Sequence, residues 1–575
     1  MRGRIYLGSA YYPEMWSEDE IEKDIERCRQ LGVNTLRVGE FAWGKMEPRE
    51  GEFCFGWLKN VVDRLYAAGI YTVMCTPTAT PPRWLLKKYP ETRMVMHDLI
   101  RADVSSRCHT CKTSPVMREK NRVIVTKMAE VFAGHPGIVG WQIDNEIYPY
   151  SEGCYCEKCR AAFRSFLKEK FGSVDALNEA WGMTRWSLTY DSFDDVDPPY
   201  PRQWRHPSLR KAWHDFQCAQ IKSYVEEQAD ILHRFGCGNV GTDMMAQNYL
   251  SYYAVNEKLD VVQFNHYNPA QDLPNTAFSY DFLRCVKDRP FWVAETQVGW
   301  NGSNFADCGY RPVGNCYANT WLPVARGAEM NLYWLFRTHP NGHEMAHGAL
   351  FSPAGRAYRV SEEVRRAAED FSVCGDFLAG TKIVSRIALH YSATAMNGFE
   401  SAPLLKGMDY RRFVLEYFYA AFRHYNVDVI DTPHGLSGYH VLTLQRSTKT
   451  TSKRASWRGW RAAERGSWGP CPTSWTATCA AIRTRRTAFW RSLRAFIRST
   501  RSPLRTMCSK RSGGTERRAE SACATTLTSA KRGRRALRTI RRASSPGFPP
   551  LPNAKSERGR SSFWAASSRM RICGG

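Results

Sequence analysis

The sequence predicts an α/β fold in which eight strand–helix units close into a (β/α)8 TIM barrel. Three observations lead there. Short apolar runs recur through the first 380 residues, each followed by turn residues and a helical pattern. There are eight of them, the number a closed barrel needs. No GxGxxG or GxxxxGK[ST] stretch follows the first run, so an open nucleotide-binding sheet with the same alternation has little support.

The predicted strands, in order, are Ile5–Tyr11, Thr35–Val38, Tyr71–Cys75, Ile138–Ile143, Val240–Asp243, Val261–Phe264, Phe291–Ala294 and Leu332–Phe336. Helical stretches between them include Glu18–Leu31, Trp57–Ala68, Met117–Phe132, Lys158–Phe171 and Leu209–Phe235. A further strand (Ser385–Tyr391), helix (Tyr410–Phe422) and two strands (Val427–Ile430, Tyr439–Leu444) begin a second domain. The predicted boundaries are 1–383 for the barrel, 384–445 for the second domain and 446–575 for a tail.

The tail is set apart by charge. Residues 1–445 hold 50 Lys+Arg and 52 Asp+Glu, a net of −2, whereas 446–575 hold 31 and 4, a net of +27. The tail contains no Asp, Val, Tyr, His or Gln, and scatters tryptophans such as Trp457, Trp460 and Trp468 among lone cysteines. Two readings compete. One is a basic nucleic-acid-binding arm. The other is a GC-rich gene read out of frame. Gly466 to Ser474, back-translated and shifted by one base, can read Trp-Val-Val-Gly-Pro-Met-Ser-Asp-Ile, a sensible strand-then-loop segment.

The composition excludes a wholly disordered or collagen-like chain, with 43% hydrophobic and 13% aromatic residues. No apolar run approaches the ~20 residues of a membrane helix. Met1 to Tyr12 has no long apolar stretch, so a secretory signal is not expected. The expected compartment is the cytoplasm, where the 19 cysteines would be thiols or metal ligands.

Barrel chemistry sits at the C-terminal ends of strands. Asp144-Asn145-Glu146 follows the fourth predicted strand and Glu295-Thr296-Gln297 the seventh, so both glutamates would project into one pit. Trp43, Trp84, Trp141, Tyr148, Tyr267 and Trp300 crowd the same ends. A carboxylate pair among aromatic platforms suits sugar binding and glycosidic cleavage. Cys154, Cys156 and Cys159 form a C-x-C-x2-C run just past Glu146, and Cys111 precedes it in the loop after the third strand. Four thiolates suit a closed tetrahedral structural zinc site. Cys108 competes with Cys111 for the fourth position, and free thiols in a reducing compartment are the alternative.

From about Gly8 to Gln445 the sequence resembles the glycoside hydrolase family 42 β-galactosidases. The resemblance is carried by AYYPEMW (Ala10–Trp16), LRVGEFAWGKMEPREG (Leu36–Gly51), TPTATPPRWL (Thr76–Leu85), WQIDNEI (Trp141–Ile147) and HEMAHG (His343–Gly348). It implies a retaining β-D-galactosidase that uses no organic cofactor. Glu146 matches the acid/base and Glu295 the nucleophile, with carboxyl groups about 5–5.5 Å apart. Asn145 is implied to bond the sugar 2-hydroxyl. Arg107 matches a substrate-binding arginine; a clamp on a catalytic carboxylate is its other, compatible role. Glu344 and His347 match a pair on galactose hydroxyls, and Trp300 the aromatic wall. Tyr267 is a weaker candidate. Some relatives bind zinc with matching cysteines, and Cys111 fits their Arg-x-His-x-Cys spacing from Arg107. Residues 384–445 resemble the start of a Rossmann-like trimerisation domain. Family members form homotrimers, and that domain stops short here. An α-L-arabinopyranosidase of the same clan and a nucleic-acid-binding protein acting through the tail are the competing functions; a membrane partner is not expected.

A segment with 31 basic and 4 acidic residues and no valine or tyrosine cannot offset its ordering entropy by burial. Limited proteolysis is expected to cut near Arg446 and leave the barrel resistant, and sizing to give monomer or mixed aggregate. A protease-resistant tail in a homogeneous trimer would contradict the out-of-frame reading.

Overall fold

The structure is a computed structural model that describes residues 4–443, except 105–106, 148–152, 201–203, 246–249, 269–271, 301–309, 404–406 and the single positions 379, 432, 436 and 440. The tail at 446–575, the end of the last predicted strand at Leu444 and the aromatic candidate Tyr148 lie outside the described residues.

Eight parallel strands form the barrel: Tyr6–Ala10, Thr35–Val38, Tyr71–Cys75, Ile138–Gln142, a fifth in two pieces (Val240–Gly241 and Asp243–Met245), Gln263–His266, Phe291–Gln297 and Ala328–Trp334. Pairing runs from strand to strand, and the first pairs with the eighth. Closure passes through the break in the fifth strand. Its first piece pairs with the fourth strand and its second with the sixth. At the break Thr242 donates its hydroxyl to Ile143 O at 2.7 Å, and Ile143 N donates to Gly241 O at 2.8 Å.

Local sequence sets the elements. Helix Glu18–Leu31 starts at Ser17, whose hydroxyl accepts from Glu20 N, and has three acidic residues in its first turn. It stops at Gly32, which takes φ 70°, where a side chain would be strained. Helix Pro115–Phe132 has Pro at its start and Ser114 as cap, and packs against the long helix Pro207–Arg234.

The core lies in two layers. Most apolar side chains fill the space between helices and strands. A second, smaller cluster of strand residues contains Tyr6, Val73, Val139, Val261, Trp292, Met330 and Leu332. Gly140 makes room for Trp292; a Cβ there would lie 2.4 Å from its ring. Toward the C-terminal ends the strand residues become polar: Arg37, Gln142, Asp243, Asn265 and Glu295 are all buried.

Beyond the barrel, Ile387–His390 lies between Val427–Ile430 and Val441–Thr443 in a parallel three-stranded sheet. This part is fixed to the barrel. Arg284 donates to Asp428 Oδ1 at 2.5 Å and to Val427 O at 2.9 Å, and Phe278 meets Tyr391 and Phe418 edge-on, each at 5.3 Å.

Four barrel strands differ from expectation by two residues or more. The fifth is split at Thr242 and runs on to Met245, and the sixth lies at Gln263–His266 rather than Val261–Phe264. The eighth starts four residues before Leu332, because Glu329 and Asn331 interrupt its apolar pattern; Glu329 is used outside the apolar cluster, accepting from Trp292 Nε1 at 2.9 Å. The seventh runs on to Gln297, so Glu295 sits within the strand rather than just past it. Its register against the eighth strand slips between Val293 and Thr296, around Glu295.

Candidate active site

The strand ends converge on a group of buried charges. Arg37, on the second strand, donates from Nη2 to Glu295 Oε1 at 2.5 Å and to Glu40 Oε2 at 2.9 Å. Its Nη1 donates to Gln142 Oε1 at 2.9 Å and to Ala294 O at 3.2 Å, and lies 3.8 Å from Asp243 Oδ2. Oxygens of Glu40, Asp243 and Glu295 all fall within 4.8 Å of one another, a spacing that could hold a metal ion. The guanidinium ion-pairs with all three carboxylates.

Glu295 is held from two sides, since Tyr267 donates its hydroxyl to Oε2 at 2.6 Å. Both its oxygens therefore face fixed donors. Glu40 receives Tyr12 OH at 2.5 Å as well as Gln142 Nε2 at 2.8 Å. Burial still pushes its carboxyl up to about 7, with Arg37 working against the rise and Glu295 adding to it.

Glu146 follows the fourth strand in a strained turn. Asp144 and Glu146 take φ of 55° and 42°, the left-handed region that non-glycine residues rarely adopt. The turn is pinned on both flanks. Asp144 Oδ2 accepts from Thr78 Oγ1 at 2.7 Å and Lys112 Nζ at 3.0 Å, and also from Tyr224. Arg107 Nη2 meets Glu146 Oε2 at 2.9 Å, and Asn265 Nδ2 donates to Oε1 at 2.8 Å. Burial raises the Glu146 pKa; Arg107 opposes that rise and the charge of Glu295 reinforces it. Each of the two buried glutamates is thus held by an arginine and a second donor, Arg37 and Tyr267 for Glu295, Arg107 and Asn265 for Glu146.

Asn145 has both amide N–H bonds committed, to Glu40 Oε1 at 3.1 Å and Asp243 Oδ2 at 3.0 Å. Its carbonyl oxygen is the end turned to Arg107. His347 is buried and kept neutral by that burial; its ring packs against Tyr267 at 6.3 Å and Trp334 at 6.4 Å. Glu344 is half-buried with φ 58°, and its charge adds to the raised pKa of Glu146. Trp300 is half-buried, donates from Nε1 to Ala346 O at 2.8 Å, and contacts Tyr310 and Tyr358.

Not every aromatic candidate belongs to the pit. Trp43 is fully buried and donates to Glu47 Oε2 at 2.8 Å, and Trp141 is a buried strand residue. Trp84 is half-buried and donates to Glu47 O at 2.8 Å.

The cysteines form a second cluster. The sulfurs of Cys111, Cys154, Cys156 and Cys159 lie within 4.8 Å of one another, with Cys111 at 3.7 Å from Cys156 and 3.5 Å from Cys159. Thiolates about 2.3 Å from a tetrahedral metal stand about 3.8 Å apart, so the donor set and its spacing fit a metal ion with no open position. Cys108 is outside the cluster. Its sulfur faces Asn145 O at 3.5 Å, and burial pushes its thiol up to about 12.

The sequence reading named Arg37 and Glu40 only as letters of a motif, and assigned nothing to Tyr12, Gln142, Asp243 or Asn265. Two charged residues, Arg37 and Glu40, at the end of an apolar strand were the available signal.

Paired carboxylates at one end of a barrel are the kind of arrangement glycosidases use. The profile of a family described as β-galactosidase, glycoside hydrolase family 42, matches residues 10–373. β-Galactosidase YesZ of Bacillus subtilis is 32% identical over 449 residues, 76% of this chain and 67% of that protein. The β-galactosidase of Thermus thermophilus is 33% identical over 456 residues, covering 75% and 70%. The solved structure of the Halorubrum lacusprofundi β-galactosidase superposes with a TM-score of 0.72 at 31% identity, over 76% of this chain and 68% of that one. The chain thus spans about two thirds of the length of these relatives. It belongs to the family 42 β-galactosidases and is a glycoside hydrolase. Among the described residues no helix is long and apolar enough to cross a membrane.

Proposed function

We propose that the chain hydrolyses terminal, non-reducing β-D-galactose residues by retaining double displacement, with Glu295 as nucleophile and Glu146 as acid/base. The observation that carries this is the pair of buried carboxylates brought together from the fourth and seventh strands. Glu295 accepts from Arg37 and Tyr267, and Glu146 accepts from Arg107 and Asn265 while burial raises its pKa.

In the first step a Glu295 oxygen bonds to the anomeric carbon while the glycosidic bond breaks, and Glu146 gives its proton to the departing oxygen. In the second, Glu146 takes a proton from water, the water oxygen attacks the anomeric carbon, and Glu295 leaves as the carboxylate. Two displacements return the β configuration.

The sugar contacts assigned to Arg107, Asn145, Trp300, Glu344 and His347 belong to the same proposal. For Asn145 the geometry adds a direction. With both N–H bonds engaged, its carbonyl oxygen, which also accepts from Arg107, is the end that would accept from the 2-hydroxyl. The cysteine cluster is read as a structural zinc site held by Cys111, Cys154, Cys156 and Cys159. Zinc would supply no chemistry there; it would tie the loop carrying Arg107 to the loop after Glu146. No disulfide joins the described cysteines, and a cytoplasmic location belongs to the same proposal. Residues 384–445 are read as part of a trimerisation domain.

Glu295→Gln keeps the side-chain shape and removes the charge. It should abolish hydrolysis of aryl β-galactosides without unfolding, and Glu295→Ala, which leaves a space there, should regain turnover with azide and give the inverted galactosyl azide as product. More than about a tenth of wild-type activity, a loss under ~1.4 kcal/mol, would rule out Glu295 as nucleophile.

Elemental analysis should find about one zinc per chain. Cys156→Ser should lower zinc content and melting temperature together. Zinc-free protein with unchanged melting and full activity would contradict the site.

A further inference from the structure

Asp243 touches neither end of the proposed chemistry, yet several groups at the site meet on it. It is the first residue of the second piece of the fifth strand, beside the break, and its side chain is wholly buried. Its Oδ1 accepts the backbone N–H of Glu146 at 3.1 Å. Its Oδ2 accepts from Asn145 Nδ2 at 3.0 Å and from Asn265 Nδ2 at 2.9 Å. Asn265 in turn donates to Glu146 Oε1 at 2.8 Å. One carboxylate therefore fixes the main chain of Glu146 directly, its side chain through Asn265, and the neighbouring amide of Asn145.

The turn needs such a tie. Glu146 sits at φ 42°, a conformation that persists only where the surroundings enforce it. The two amide orientations need it too. An Asn side chain can turn its oxygen or its nitrogen either way. Between Asp243 and a second carboxylate (Glu40 for Asn145, Glu146 for Asn265) only the nitrogen is accommodated.

We propose that Asp243 is a positioning residue for the acid/base: it holds Glu146 in its strained turn and, through Asn265, aims the Glu146 carboxyl. This rests on Glu146 being the acid/base. Asp243→Asn preserves volume but replaces one acceptor with an NH2 group. In either orientation that group faces an N–H donor, so at least one of the contacts to Asp243 is lost.

The test compares kcat/KM, which reports the first displacement, for phenyl β-galactoside and 2,4-dinitrophenyl β-galactoside. Phenol needs protonation to leave and dinitrophenol does not, so loss of a positioned acid slows the first selectively. General-acid help contributes about 10²–10⁴-fold. Asp243→Asn is expected to lose roughly 100-fold on the phenyl substrate and under about tenfold on the dinitrophenyl one. Glu146→Gln, run alongside, should show the same split. If Glu146→Gln splits the substrates and Asp243→Asn slows both equally or neither, Asp243 does not position the acid. If Glu146→Gln shows no split, the acid/base assignment falls and the proposal falls with it. A merely structural defect would lower both substrates in parallel. Should Asp243→Asn fail to fold, Asn265→Ala severs the side-chain link alone. It should give a smaller split of about tenfold, and its absence overturns the proposal.

Discussion

Arg37 is the charge on which the site depends. It is fully buried, and it pairs with Glu40 and Glu295 while lying 3.8 Å from Asp243. Without it, three carboxylates within 4.8 Å of one another would stand in a water-poor cavity. Removing one partner of a buried pair costs about 3–5 kcal/mol. That is a large part of the ~5–15 kcal/mol that keeps an ordinary domain folded. The same guanidinium therefore serves fold and chemistry. It lets the ends of the second, fifth and seventh strands bring acidic side chains together, and it holds one oxygen of Glu295 in place.

The second constraint is the strained turn at Asp144 to Glu146. It is pinned from behind by Lys112, Thr78 and Tyr224 on Asp144, and from the front by Asp243 and Arg107. Lys112 follows Cys111 directly, so the cysteine cluster adjoins one of these pins. The loop with Arg107 and the loop after Glu146 meet at that cluster. This links a site with no chemistry of its own to the geometry of the catalytic one.

Much of this was legible in the sequence. Apolar runs marked all eight strands, and the tyrosine-start helix at 410–422 and the strand at 427–430 fell where the pattern put them. Strand ends and motifs point at Glu146, Asn145, Glu295 and Arg107, and the structure places them around one group of buried charges. The network beneath was not legible. Asp243 and Asn265 are single polar residues in short strands, and nothing in the order of residues says that three strands bring them to Glu146. Cys111 and Cys108 lie three apart in one loop; the Arg-x-His-x-Cys spacing favours Cys111, and it is Cys111 whose sulfur lies with the other three while Cys108 faces Asn145 O. Trp43 and Trp141 looked like sugar platforms because strand ends are rich in both core and binding aromatics. Their burial shows them to be core.

The central claim is that Glu295, poised by Arg37 and Tyr267, forms the covalent bond to the sugar. Incubation with 2,4-dinitrophenyl 2-deoxy-2-fluoro-β-galactoside tests it most directly. The good leaving group permits the first displacement, and the fluorine slows the second, so the glycosyl-enzyme accumulates. Mass spectrometry of the intact chain should show one added fluorogalactosyl group, and peptide mapping should place it on Glu295. A label on Glu146 or Glu40, or an unlabelled enzyme that releases inverted 2-deoxy-2-fluorogalactose, would contradict the account.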